Sequence, residues 1–328
     1  MKIAITGAGG FIGNALARSL LAEGGLGADF PPLDRLTLVD CSAVPATFRD
    51  PRVRWLQGDF GDAAIRSELL DGGRDCLFHL AAMPGGAAEA DPKASWRINL
   101  LAPIELFDAL SLEPTGAKRV VFASSVAVYG AGLPPLVNDE TYPIPTLSYG
   151  AQKMMLEVWL ADAARRSLLD ARSLRLPGIV ARPETASGHI SAFLSNIFHK
   201  LARHEPFVAP MGPRATTWLI SRETCVDNLL LAARLPGERL PLRRAWTMPA
   251  LRLSMEELVA ALAEALGPEA RDLVSFAPDP RVEAQFGAQP PLATPLAESL
   301  GMKHDGDGVS LTRNVLRALS RLPPGDPE

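Results

Sequence analysis

KIAITGAGGFIG, residues 2–13, decides the fold. Lys2–Thr6 is a short apolar, β-branched run, suited to a parallel strand buried on both faces. Gly7, Gly10 and Gly13 follow it. Apolar residues then recur at helical spacing (Ile12, Leu16, Leu20) through Asn14–Glu23, until Gly24-Gly25 stops them. The glycines therefore lie between a strand and a helix, and each has a task there. Gly7 permits a tight turn, Gly10 lets backbone approach a pyrophosphate, and Gly13 allows the helix to pack closely on the strand. The phosphates would meet free N–H groups of the first helical turn, where Phe11 and Ile12 stand. The alternative is a glycine-rich turn without a ligand.

The rest of the chain repeats the strand–helix alternation. Strands are expected at Arg35–Val39, Val53–Leu56, Cys76–Ala82, Val120–Ala123 and Arg172–Leu176, and helices at Ala63–Leu70, Lys93–Leu112 and Tyr149–Leu169. That order implies a doubly wound parallel sheet with helices on both faces, and ligands bind at the carboxyl ends of such strands. Asp40 ends the second strand. A carboxylate there accepts hydrogen bonds from the adenosine ribose hydroxyls and repels a 2′-phosphate, which favours NAD over NADP; an Asp capping a turn is the plainer reading. Asp59, before Phe60, either faces the adenine edge or caps the helix Ala63–Leu70. Leu80, Ala81 and Ala82 form a small-residue exit against which a cofactor can lie. His79 reads as a core histidine. Asn99 puts an amide among apolar neighbours, where it needs partners. Residues 83–92 read as a loop over the strand ends. Later helices are expected at Ser191–Arg203, at Ser254–Leu266 with a Ser254/Glu257 capping box, and at Leu311–Leu322.

The 328 residues are 47% hydrophobic, enough for a large core. A net charge of −4 without charge blocks speaks against nucleic acid and anionic membranes as partners. Cys41, Cys76 and Cys225 are odd in number and far apart, which fits a reducing compartment and neither a disulfide framework nor a metal site. The opening residues are too short and punctuated for a signal peptide, and no run reaches the roughly 18 apolar residues of a membrane span. The expectation is a cytoplasmic protein. One pair stands out against this ordinary background. Tyr149 and Lys153, four apart near the start of a helix, stack a phenol and an ammonium on one face. A solvated Tyr beside a surface Lys is the alternative.

TGAGGFIG, HLAA (79–82), SSVAVYG (124–130) and the Tyr149/Lys153 pair, in this order over residues 1–183, resemble the extended short-chain dehydrogenase/reductases, the NAD-dependent epimerase/dehydratase group. DPRVRWLQGDF, HLAAMPGGAAEAD, PLVNDETYPIPTLSYGAQK, ARSLRLPGIVARP and FAPDPRVEA look like its D-erythronate 2-dehydrogenase branch, as do Trp218 and Arg222 in TTWLISRET. The stretch Glu184–His189 departs from that branch. The resemblance implies a Rossmann domain over 1–176, with a later return of the chain near 218–250, and a smaller substrate domain over most of 177–328. It implies NAD-dependent oxidation of a secondary hydroxyl of a small sugar acid, with Tyr149 as general base. Lys153 would stabilise the phenolate and bind the nicotinamide ribose, and Ser125 would orient the substrate oxygen. Ser125 is preferred to Ser124 because it stands three before Val128. Ile179 joins the expected cofactor contacts. Arg182 and Arg222 are candidates for the substrate carboxylate, with His189 and Trp218 beside them. The resemblance also implies pairing of Lys93–Leu112 and Gly150–Leu169 in a homodimer. A sugar-nucleotide epimerase with tightly held NAD is the alternative activity, and a non-catalytic NAD-binding regulator a more distant one. A 4,6-dehydratase is disfavoured because Val126-Ala127 stand where its Asp-Glu pair would be.

Overall fold

β1 (Lys2–Thr6) is buried along almost its whole length, as an Ile/Ala-rich central strand must be. The computed structural model describes residues 1–44, 48–114, 116–184 and 190–320. From β1 the chain turns into α1 (Phe11–Glu23), which closes at Gly24 in a left-handed conformation. β2 (Arg35–Asp40), β3 (Val53–Gln57), α2 (Ala63–Leu70) and β4 (Cys76–His79) follow. α3 (Gly85–Ala90) and α4 (Pro92–Trp96) run through a π-helical turn, Arg97–Leu101, into α5 (Ala102–Leu112). Next come β5 (Arg119–Ser125), a 3₁₀ turn at Val126–Tyr129, α6 (Ser148–Arg165) and β6 (Asp170–Leu176).

These strands form one parallel sheet with the order β6-β5-β4-β1-β2-β3. The strand order reverses between β1 and β4, which places the ligand crevice of a doubly wound sheet above their carboxyl ends. One face is covered by α1, whose Leu16, Ala17 and Leu20 are fully buried; α2, α5 and α6 cover the other with Leu69, Leu106, Phe107, Leu156 and Leu160.

After β7 (Gly178–Val180) the chain builds a smaller lobe. α7 (Phe193–Ala202), β8 (Phe207–Ala209) and β9 (Thr216–Ser221) belong to it, and α8 (Arg222–Arg234) leads back to pack on α1. β10 (Ala245–Thr247) then joins the main sheet beside β6 as a seventh parallel strand. β11 (Leu251–Ser254), α9 (Met255–Leu266), β12 (Val274–Phe276), α10 (Pro280–Phe286), α11 (Pro295–Ser299) and α12 (Gly308–Leu319) complete the chain. β11, β9 and β7 form a three-stranded sheet, and β12 pairs with β8. Phe198, Leu219, Leu258, Leu262 and Leu311 form this lobe's core.

Several boundaries differ from the sequence reading. α1 begins at Phe11, so the glycine loop is shorter than expected. The fourth strand stops at His79 because the chain next crosses the glycine loop, retaining one ladder-like bond from Leu80 N–H to Thr6 O (3.1 Å). Part of the loop expected over 83–92 is the helix α3. The long helix expected over 93–112 is interrupted by the π turn, which accommodates Asn99. The capping box at Ser254 and Glu257 is present in both directions. The last two residues of the helix expected at Leu311–Leu322 lie outside the described residues.

Candidate active site

The glycine loop is held against the end of β2: the N–H groups of Gly7 and Ala8 both donate to Val39 O (2.9 and 3.2 Å). Gly7 has φ +72, and a Cβ there would come within 2.7 Å of the Ala81 nitrogen. A Cβ on Gly13 would meet Gly7 O at 2.1 Å. Only bare backbone fits this corner, and α1 can then start directly over it. Gly10 at the N-cap brings no side chain to the first-turn N–H groups of Phe11, Ile12 and Gly13. Such a turn suits a pyrophosphate.

Asp40 accepts from the N–H of Gly9 at Oδ2 and from that of Ser42 at Oδ1, each at 2.9 Å. The carboxylate is thus oriented, and each oxygen retains a lone pair for a ribose hydroxyl. Asp59 and Asp62 lie close enough that, after burial itself, they and Asp40 push the neighbouring Cys41 thiol up. A 2′-phosphate would enter a field of three carboxylates. Asp59 accepts from Gly61 N–H (2.8 Å) and so closes its own turn, while Asp62 is the N-cap of α2. Phe60 is buried edge-on to His79, at 5.1 Å between centroids. His79 is a core residue: its Nδ1 pairs with Thr6 Oγ1 at 2.8 Å, and burial, then the charge of Lys153, lowers its pKa. Leu80, Ala81 and Ala82 pass half-buried over the glycine loop. Both amide hydrogens of Asn99 are taken, by Met83 O (3.0 Å) and Gln152 Oε1 (2.9 Å), and its Oδ1 accepts from Met83 N–H (2.7 Å). Asn99 therefore fixes the chain after β4 to α6. Ile179 is buried in β7. These residues fit a bound NAD: a loop no side chain could enter, an uncapped helix start and an oriented acid.

Ser125 ends β5 and Tyr149 stands in the first turn of α6, whose approach depends on Gly150: a Cβ there would lie 2.3 Å from Ala127 O. Ser125 Oγ accepts from Ala127 N–H at 3.1 Å. Burial raises the pKa of the half-buried Tyr149 phenol, while the charge of Arg182 and a hydrogen bond with Ser125 pull it back. Lys153 is 2% exposed. Its Nζ donates to Ala123 O at 2.7 Å and lies 5.5 Å from the Tyr149 ring centroid. Burial brings its pKa down to about 7, against the opposing pull of Glu157.

Ser124, one residue before Ser125, has a different task. Its hydroxyl donates to Glu157 Oε1 at 2.5 Å. Glu157 also receives Arg175 through Nε (3.0 Å to Oε1) and an Nη (2.7 Å to Oε2). Arg175 donates further to Tyr129 Oη (3.0 Å), which pairs with Thr247 Oγ1 (2.6 Å). This buried chain ties β5, α6, β6, β10 and the 3₁₀ turn together beneath the site. No spacing rule reveals it, because bonded members lie up to 118 residues apart.

Ser125, Tyr149, Arg182 and Trp218 line one cleft of about 450 Å³, together with Arg281 and Gln285 of α10. Among the described residues no carboxylate lines it. Arg182 is held at its backbone, its N–H donating to Ser195 Oγ (3.0 Å) and its O accepting from His199 Nε2 (2.7 Å). The guanidinium groups of Arg182 and Arg281 have no protein partner among the described residues. Trp218 is a wall: its indole N–H is taken by Pro290 O (2.8 Å). Arg222 is not in this cleft. It pairs with Glu223 (3.0 Å) and lies over the Phe11 ring, 5.0 Å from its centroid, because β9 ends before α8 carries it behind the glycine loop. His189 lies outside the described residues. Arg281 was missed by the sequence reading, although Asp279-Pro280 before it is a helix-start signal that places it on α10.

A family model described as the NAD dependent epimerase/dehydratase family matches residues 3–215. A D-erythronate dehydrogenase from Cupriavidus necator is 39% identical over 292 residues, 88% of this chain and 90% of that protein. A second D-erythronate dehydrogenase, from Haemophilus influenzae, is 31% identical over 310 residues, 94% and 96% of the two chains. A crystal structure described as a nucleoside-diphosphate-sugar epimerase from Agrobacterium tumefaciens superposes with a TM-score of 0.87 at 32% identity, covering 95% of this chain and 92% of that one.

Proposed function

The chain belongs to the NAD dependent epimerase/dehydratase family, and on that footing we propose that it oxidises the C2 hydroxyl of D-erythronate or a close sugar acid. NAD, when bound, accepts the hydride. One observation carries the reading: Ser125 and Tyr149, with Lys153 buried one helical turn behind Tyr149, line a cleft in which, among the described residues, no carboxylate stands and the Arg182 guanidinium has no partner. Ser125 and Tyr149 flank the substrate hydroxyl, and Tyr149 takes its proton. The phenol is a poor base at neutral pH, so its pKa must be drawn down. Arg182 and the Ser125 hydrogen bond contribute to that, and Lys153 stands one helical turn away, 5.5 Å from the ring centroid. Arg182 also meets the carboxylate beside the reacting carbon. A neutral sugar would leave this guanidinium unpaired, which favours acids over sugars.

Among the described residues no helix is long and apolar enough to cross a membrane. Trp96, Leu101, Met155 and Val158 are exposed on the neighbouring segments 92–112 and α6. These exposed side chains support a homodimer joined through these helices; the cytoplasm is the compartment we propose for it.

The test is NADH formation from a panel of four- to six-carbon sugar acids. D-erythronate or a near relative should be turned over. Tyr149→Phe should lower kcat by about 10²–10⁴, with NAD affinity little changed. Turnover of no acid in the panel, or a Tyr149→Phe enzyme at wild-type rate, would defeat the proposal. The similarity to the Agrobacterium epimerase favours a second reading, nucleotide-sugar epimerisation. It requires NAD that stays bound through purification and no net NADH release.

A further inference from the structure

The cleft holds two guanidiniums without a protein partner among the described residues, and a simple C2 oxidation accounts for one. In a 2-hydroxy acid the carboxylate is bonded to the carbon that loses hydride, so it must lie beside Tyr149. Arg182 is the arginine whose charge acts on the Tyr149 phenol. Arg281 comes from α10 of the smaller lobe and is exposed at the cleft's margin. The carboxylates of its own segment are engaged elsewhere: Asp279 Oδ1 accepts from Arg281's backbone N–H (2.8 Å), and Glu283 Oε1 accepts from Gly212 N–H (2.6 Å). About 450 Å³ is the size of cavity that takes a drug-sized ligand. A four-carbon acid beside a nicotinamide ring would leave its margin unfilled.

We propose that the cleft is built for a sugar acid with an anion at each end, Arg182 receiving the carboxylate beside the reacting carbon and Arg281 a second anionic group at the far end of the carbon chain. This rests on the reading of the enzyme as a sugar-acid dehydrogenase. The second group is a carboxylate, as in an aldaric acid, or a phosphate ester of the terminal hydroxyl. Both offer paired oxygens to a planar guanidinium fork. The shared feature is negative charge at a distance from C2.

The experiment compares kcat/KM, with NAD, for D-erythronate, its 4-phosphate and the four- to six-carbon aldaric acids, in the wild type, Arg281→Met and Arg281→Lys. Melting temperature reports that each variant is folded. The wild type should favour at least one doubly anionic acid over the singly charged acid of equal length by about tenfold or more, in keeping with a charge-assisted contact. Arg281→Met should erase most of that advantage and Arg281→Lys should keep part of it. Preference for the phosphate ester identifies one source of the anion, and preference for the aldaric acid the other; either supports the proposal. No preference in the wild type, or one that survives Arg281→Met, overturns it while leaving the dehydrogenase reading intact. An equal loss on singly and doubly charged acids also overturns it, because both arginines would then hold one carboxylate. If no sugar acid is oxidised by the wild type, the dehydrogenase reading fails and this one with it.

Discussion

Replacing Glu157 by alanine should damage the protein through Arg175. The Arg175 and Glu157 side chains are 9% and 5% exposed, and their closest atoms are 2.7 Å apart. Without the carboxylate, Arg175 retains the Tyr129 hydroxyl at 3.0 Å and the Tyr129 ring at 5.1 Å, but no charge partner. Breaking a buried pair by removing one member costs about 3–5 kcal/mol, because the other charge stays buried and uncompensated. The unfolding entropy of 328 residues is about 0.7 kcal/mol/K at the usual per-residue value, so the melting temperature should fall by about 4–7 °C. Calorimetry or fluorescence-monitored melting measures this directly. The companion variant removes both charges, Glu157→Met with Arg175→Leu. It leaves no orphaned cation, so it should recover most of the loss. A single variant that melts within 1 °C or so of wild type, or a double variant worse than the single, would refute the reasoning. Activity should fall as well. Ser124 would lose the acceptor that anchors it beside Ser125, and Lys153 would lose the carboxylate that opposes burial.

Asp40→Ala should weaken NAD binding and narrow the preference over NADP, read as the ratio of kcat/KM values; Asp59 and Asp62 should keep the ratio above one. Burial raises the Tyr149 pKa, so the base form is populated as pH rises and kcat/KM for oxidation should climb with pH. Arg182→Met removes a charge that lowers that pKa, so the rising limb should move to higher pH; a limb that stays in place or moves down would exclude Arg182 from that role. Lys153→Met should shift the limb the same way and also weaken NAD binding. Val158→Glu on α6 should shift the proposed dimer toward monomer in sedimentation, with little effect on melting of the single chain.

Glycines, β-branched runs and the helical Tyr–Lys spacing express local rules, so β1, β2, α2 and the positions of Gly7, Gly13 and Tyr149 were legible from the chain, while Ser125 came from the family resemblance. Where contact across distance decides, the reading stopped. The strand after Cys76 ends early because Ala81 must cross Gly7, a clearance set by residues 74 positions apart. The family resemblance points to Ser125 and leaves Ser124 without a task, which only Glu157 behind it supplies. Arg222 and Arg281 are two arginines in polar settings. The direction of α8 sends one behind the glycine loop, and the seat of α10 brings the other to the cleft.

The return of the chain to its first sheet also imposes an order on synthesis. Arg172 is fully buried and donates to the carbonyls of Ala232 and Leu235; Arg119 donates to that of Ala233. β10 covers the outer edge of β6. At about 5–20 residues per second, the 60 residues between Arg172 and Ala232 take the ribosome roughly 3–12 s to add. Through that interval Arg119 and Arg172 would share Asp170 but lack the carbonyls of the returning helix, and β6 would present an unpaired edge. A nascent chain halted near residue 183 should therefore engage holding chaperones, and a separately expressed 1–183 fragment should aggregate unless the stretch through Thr247 is supplied in trans.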